Sequence, residues 1–189
     1  MAAVRKDNAL PTRGEFHAAI SNRADRWFAA CLKITRSREL AEDAVQDALL
    51  TAWDKRAQFE RGSRLDTWIH RIAINSALQL LRKHRPARFD SLDFEPIDDS
   101  ASLIDVRYAD ELGDELATAL ACLSDIERIC FVLKHLEQWR LKEIAVELDT
   151  TVGTTKQALF RAVRKLRVAM PELGPGNTSD ETAVAAGLR

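Results

Sequence analysis

Between Thr154 and Arg167 the chain sets Lys156, Gln157, Phe160, Arg161 and Arg164 on one side of a helix, and the run contains no carboxylate. Cationic heads, one amide that both donates and accepts, and a flat apolar ring cannot make or break bonds by themselves. They can hold phosphate oxygens, pair with base edges and pack against a sugar or a thymine methyl. Duplex DNA is the ligand such a face fits. Its position on the chain sharpens the reading. Ile144, Ala145 and Leu148 fall at helical spacing in Leu141–Leu148, a Thr150-Thr151-Val152-Gly153 break follows, and Leu159, Val163 and Leu166 form the expected buried stripe of the next helix. This is a helix-turn-helix pattern, with small Ala145 at the helix crossing and Gly153 in the turn. A basic amphipathic helix is also an ordinary solvated surface element; the two-helix combination favours the DNA reading.

A second constellation has the opposite charge. Glu39, Glu42, Asp43, Gln46, Asp47 and Leu50 share a helix face whose other side is Leu40, Ala41, Ala44, Val45, Ala48, Leu49 and Ala52. An acidic stripe with one exposed leucine suits docking to a basic helical surface, charge steering the approach and Leu50 supplying desolvated contact. A solvated acidic face is the alternative.

Composition bounds what else the chain does. Its 189 residues, 46% hydrophobic and 30% charged, make one ordinary domain or two small ones, and a net charge of −1 argues against coating nucleic acid through bulk charge. Charge is segregated instead: Lys and Arg gather around 82–88 and 156–167, Asp and Glu around 39–47 and 90–115. Cys31, Cys122 and Cys130 are scattered, which points to a reducing cytosol and to small apolar core residues. Neither they nor His17, His70, His84 and His135 have metal-site spacing, so no metal or cofactor is expected. No apolar stretch approaches the roughly 20 residues of a membrane span, so the chain reads as soluble.

The elements that position these faces read as all-α. After an N-terminal arm, Thr12-Arg13-Gly14-Glu15 is a capping box opening a helix with Phe16, Ile20, Arg23, Trp27, Cys31 and Ile34 at helical intervals. A break at 35–38 precedes the acidic helix, which ends near 53–55. A loop, Phe59 to Arg64, leads to a third helix beginning near Asp66-Thr67, carrying Ile69, Ile72, Ala73, Ser76 and Leu80 inward and stopping before Pro86. Residues 89–109 are acidic, with Pro and Ser, and read as a linker. A helix resumes around Asp110, Ser124-Asp125-Ile126-Glu127 is a second capping box ahead of Ile126, Ile129, Cys130 and Leu133, and after Pro171 a Gly-Pro-rich tail is expected to be disordered.

These pieces resemble the bacterial sigma factors of RNA polymerase, specifically the two-domain extracytoplasmic-function (ECF) type. Ala41-Glu42-Asp43-Ala44-Val45-Gln46-Asp47-Ala48 with Ala52-Trp53 looks like the polymerase-gripping helix. Thr67-Trp68-Ile69-His70-Arg71-Ile72-Ala73-Ile74-Asn75 looks like the −10 reader, and Glu143-Ile144-Ala145 through Val152-Gly153-Thr154 to Phe160-Arg161-Ala162 and Leu166-Arg167 looks like the −35 reader. The likeness spans about Phe16 to Val168. It implies region 2 over 12–88, the linker over 89–109, region 4 over 110–170 and a tail over 171–189.

By that resemblance the acidic face meets the β′ clamp helices of core polymerase, and the β flap is a further contact. Asn75 and the Phe59–Asp66 loop, with Arg61, Ser63 and Arg64, would form a pocket for a flipped base of the single-stranded −10 element, beside Trp68, His70 and Arg71. Arg82, Lys83, Arg85 and Arg88 would hold the backbone upstream. Lys134 and Thr155 join the −35 set with Lys156, Gln157, Phe160, Arg161 and Arg164. Trp68, near a helix start, is more often a core anchor than a stacking platform, and Trp139 is read as packing over the turn or meeting a partner. Three departures stand out: His70 replaces a common Tyr, Ala158 stands where a basic residue is common, and Gln138-Trp139-Arg140 replaces a small, Gly-Ser-like approach to the helix-turn-helix. The linker reads either as a tether or as an occupant of the RNA exit path.

The implied function is promoter direction and −10 melting, without catalysis, in the cytoplasm, with an anti-sigma protein among the partners to test. A dimeric helix-turn-helix repressor would need a dimerising helix or ligand pocket, and a DNA recombinase a nucleophile with a clustered base or metal-binding carboxylates. The sequence supplies neither.

Overall fold

The structure, a computed structural model, describes residues 10–84 and 114–169. Outside these lie the expected N-terminal arm up to residue 9, Arg85 and Arg88, the acidic linker, the helix start at Asp110 and the tail. Among the described residues every regular element is helical.

Helix α1 (Arg13–Thr35) begins where the capping box places it. Thr12 Oγ1 accepts from the Glu15 N–H at 3.2 Å, and Glu15 Oε2 accepts from the Thr12 N–H at 2.8 Å. It ends on Arg36 in the left-handed region (φ 54°), and Ser37 caps α2 (Arg38–Asp54) by accepting from the Leu40 N–H at 3.3 Å. Ala41, Ala44, Ala48 and Ala52 form a fully buried ridge on α2. Methyl groups at this spacing let a neighbouring backbone approach closely, and α3 (Leu65–His84) fills that space with Ala73 and Ala77 among its own buried residues. Around the ridge Trp27, Ile34, Ile69, Ile74, Leu78 and Leu81 are almost wholly removed from water, each Ile or Leu contributing about 1.5–3 kcal/mol.

The inward face of α3 is wider than its periodicity indicated. Ile69 and Ala73 are buried, but Ile72, Ser76 and Leu80 are only half-buried, and Ile74, Ala77, Leu78 and Leu81 complete the core. The reason is tertiary: α3 packs against both α1 and α2, so no single stripe describes it.

In the second unit, α4 (Asp114–Ala121) leads to α5 (Asp125–Phe131), opened by the Ser124–Glu127 capping box and extended by a π turn over Val132–Leu136. The helix-turn-helix is α6 (Leu141–Glu147) and α7 (Val152–Ala169). Three expectations are corrected here. The turn lies at 148–151, and Gly153 is already in the first turn of α7. Asp149 takes the left-handed conformation (φ 49°), while Thr151 Oγ1 accepts from the Thr154 N–H at 3.1 Å and starts the helix earlier. The buried stripe of α7 is Thr155, Ala158, Ala162 and Leu166, with Leu159 and Val163 half-buried at its edge. Cys31 and Cys130 are core residues whose thiols burial pushes up to about 12, but Cys122 is exposed at the end of α4.

The two units meet directly, and their buried side chains form one continuous cluster. Arg128 of α5 is completely buried; its Nη2 donates to the Ile34 carbonyl at 3.0 Å and pairs with Asp125 at 2.7 Å. His70 Nε2 of α3 donates to Glu137 Oε2 at 2.6 Å. Arg71 donates to Glu143 Oε1 at 2.9 Å while its guanidinium lies 4.6 Å from the centre of the Trp139 ring. Arg82 donates to the Glu147 carbonyl. Trp139 is thus buried and covered from the first unit by the Arg71 guanidinium.

This packing has two measurable consequences. Gln138 holds φ 59°, a conformation that costs a side-chain-bearing residue about 1 kcal/mol and a glycine little, and its own amide reaches only the exposed His135 carbonyl at 2.7 Å. Gln138→Gly should stabilise the chain by up to about 1 kcal/mol, read as a higher urea midpoint at unchanged slope.

The second concerns Glu137, which burial pushes up but which the His70 hydrogen bond, the His70 charge, and Arg26 and Lys33 together hold below the ordinary 4.5. A carboxylate with a depressed folded value adds stability above its unfolded value and loses it as pH falls through the folded one. Glu137→Gln should therefore destabilise the chain by about 1–3 kcal/mol near neutrality. Measured by denaturant unfolding at several pH values, that deficit should shrink below pH 4.5.

Candidate nucleic-acid interface

On α7 the short turns of an amphipathic helix separate a core side from a solvent side, and Lys156, Gln157, Phe160 and Arg164 all face solvent, Phe160 with 71% of its surface exposed. Phe160 thus offers an open aromatic ring between cations, a surface on which a sugar or a thymine methyl can pack. Arg161 is half-exposed and lies 3.4 Å from Glu127, whose other oxygen holds Lys165 at 2.7 Å. The second helix thus lacks its own carboxylate but borrows one from the cap of α5. In the sequence Glu127 stands out only as a capping residue; pairing across 38 positions leaves no periodic trace.

Thr155 does not face outward as expected. It is 1% exposed and its hydroxyl donates to the Thr151 carbonyl at 3.0 Å, because its position belongs to the buried stripe. Lys134, half-buried in the π turn, donates to the Trp139 carbonyl at 3.5 Å. Ala158, where the family pattern commonly has a basic residue, is in the core.

On the first unit the acidic residues Glu39, Glu42, Asp43 and Asp47, with Gln46, are all exposed along one side of α2, opposite the alanine ridge, and Leu50 is 67% exposed beside them. Glu42 also pairs with Arg38 one turn away.

The loop between α2 and α3 is tied down by charge. Arg61 reaches Glu15 at 3.1 Å, and Asp66, at the start of α3, accepts from Arg64 and Arg23 and from the Thr67 N–H. Burial raises the Asp66 carboxyl, but these partners outweigh it and keep the group below its ordinary 3.8. Ser63 is exposed and Phe59 is buried, its ring 5.4 Å from that of half-buried Trp68. Trp68 therefore serves the core with one side, in keeping with its reading as an anchor. Farther along α3, Asn75 Oδ1 is buried and finds no hydrogen-bond partner among the described residues, an arrangement that costs free energy unless something supplies a donor. Lys83 is exposed, while His70, Arg71 and Arg82 are engaged by the second unit. Among the described residues no three His, Cys, Asp or Glu side chains group as a metal site, and no helix is long and apolar enough to cross a membrane.

The chain matches the family model for sigma-70 region 2 over residues 20–87 and that for sigma-70 region 4 over residues 113–166. It is 31% identical over 149 residues to the ECF RNA polymerase sigma factor SigL of Mycobacterium tuberculosis, covering 76% of this chain and 81% of that one. It is 27% identical over 161 residues to SigW of Bacillus subtilis (79% and 85%), and 30% identical over 191 residues to SigG of Mycobacterium tuberculosis (88% and 51%). The chain thus spans about half the length of SigG. Among solved structures it is similar to the sigma factor RpoE in complex with the anti-sigma factor NepR from Bartonella quintana, at 25% identity and a TM-score of 0.53, covering 83% of this chain and 97% of that one. With both sigma-70 regions present in order, every regular element among the described residues helical, and SigL matched across 81% of its length, this protein belongs to the ECF sigma factors of RNA polymerase.

Proposed function

We propose that the chain is a promoter-specificity subunit: it binds core RNA polymerase, directs it to particular promoters and helps melt the −10 region, without catalysing a reaction and without a cofactor, in the cytoplasm. The observation that carries this reading is the exposed Lys156, Gln157, Phe160 and Arg164 face of a helix-turn-helix in a chain of this family. In this reading α7 enters the major groove at −35. Lys156 and Arg161 meet guanine edges or phosphates, Gln157 meets adenine, Phe160 packs on a sugar or thymine methyl, and Arg164 and Lys134 hold phosphates. Thr155 acts only as a support for the helix start.

The acidic side of α2, with Leu50, docks the β′ clamp helices, and region 4 contacts the β flap. Arg61, Ser63, Arg64, Trp68, His70, Arg71 and Asn75 receive the displaced −10 strand, whose backbone Arg82 and Lys83 hold upstream. Asn75 supports this assignment because its buried oxygen has no partner among the described residues. Stabilising an extruded base shifts the duplex toward the open form with no chemistry following. The domain limits 12–88 and 110–170 belong to this proposal, as does an anti-sigma partner, for which the RpoE–NepR likeness is the support.

Transcription in vitro with purified core polymerase on a promoter library tests the reading, and failure of the chain to co-elute with sigma-free core polymerase overturns it. In gel shifts the chain alone should bind promoter duplex poorly and the holoenzyme well. Lys156→Ala or Arg164→Ala should each weaken holoenzyme binding to a −35-containing duplex about 10-fold and lower the salt slope by about 1 for each phosphate no longer held. Asp47→Lys should instead weaken association with core polymerase and leave the fold intact, since Asp47 is exposed.

A further inference from the structure

The side of α3 that carries His70, Arg71 and Arg82 is not open. Each of the three donates to region 4: His70 to the Glu137 carboxylate at 2.6 Å, Arg71 to the Glu143 carboxylate at 2.9 Å, and Arg82 to the Glu147 carbonyl. The Arg71 guanidinium also stacks 4.6 Å from the Trp139 ring centre. Two carboxylates, one carbonyl oxygen and one flat aromatic face are the chemistry a single DNA strand offers through its phosphates and bases. One donor set cannot serve both at once.

We propose that the edge of region 4 formed by Glu137, Trp139, Glu143 and Glu147 is an internal stand-in for the −10 strand, so that this arrangement of the chain is a closed form that must open before α3 reads DNA. This rests on the −10 role of α3 given above. The closed form is not fully matched. His70 Nδ1 and Asn75 Oδ1 are both buried without a hydrogen-bond partner among the described residues, a cost that opening relieves. The outer pair, Arg71 with Glu143, is half open to water, and exposed pairs of this kind are weak and screened by salt. The apolar contact between the units and Arg128 on the Ile34 carbonyl hold the seam in the free chain, so it yields only to a competitor that brings several phosphates.

The test uses the full chain. A donor–acceptor dye pair on the exposed native Cys122 and on Asp25→Cys, exposed on α1, reports the separation of the units. A labelled single-stranded oligonucleotide carrying a −10 sequence reports binding without polymerase. The double variant Glu137→Gln, Glu143→Gln removes both charges but retains an amide able to accept at the α6 cap, where Glu143 accepts from the Arg140 N–H. The expected result is lower energy transfer and about 10-fold tighter oligonucleotide binding, abolished by adding Arg71→Ala. With the native seam, saturating oligonucleotide should lower energy transfer to the value of the double variant. Unchanged transfer in both experiments overturns the proposal. Lower transfer in the double variant with no gain in oligonucleotide binding also overturns it, and places the failure in the −10 role of α3 rather than in the closure.

Discussion

A guanidinium with no exposed surface must find its partners inside the protein, and Arg128 is so placed. It is held by Asp125 on its own helix and by the carbonyl of Ile34 at the end of α1. Moving a charge out of water costs several kcal/mol unless it is met by opposite charge and hydrogen bonds, so these partners cannot be exchanged freely. The constraint fixes where region 4 meets region 2: the last turn of α1 must present its free carbonyls to α5. The π turn of α5, the positive φ of Gln138 and the burial of Trp139 then bring Glu137, Glu143 and Glu147 against α3.

Charge is distributed around this seam in a consistent way. The acidic stripe of α2 and the basic–aromatic face of α7 remain exposed, while His70, Arg71 and Arg82 of α3 are matched within the chain. Glu127 plays a comparable part within region 4: one carboxylate caps α5 and holds Arg161 and Lys165, which ties α7 to the start of α5. The exposed surface is thereby divided into faces of opposite sign, and a protein of net charge −1 presents strong local fields to different partners.

Much of the fold was legible in local signals. Both capping boxes start helices where Thr12 and Ser124 stand, and the alanine spacing of α2 identifies its packed side. These succeed because a cap is satisfied within four residues and a helical period within two turns. Gly153 misled because glycine is the usual turn residue, whereas here Asp149 takes the left-handed position and Thr151 caps. Thr155 misled for a related reason: a hydroxyl near a basic run looks like a DNA ligand until the helix begins two residues sooner and turns it inward.

The all-helical class, the order of the elements, and the exposed acidic and basic–aromatic sides follow from residue types and spacing, because these depend on one helix at a time. It took the packing of the two units to show that His70, Arg71 and Arg82 are occupied, that Trp139 is covered, and that Glu127 neutralises part of α7. Each of these pairs residues from 34 to 72 positions apart, and no periodicity connects them. What joins them is the need to satisfy buried polar groups once two apolar surfaces have closed on each other.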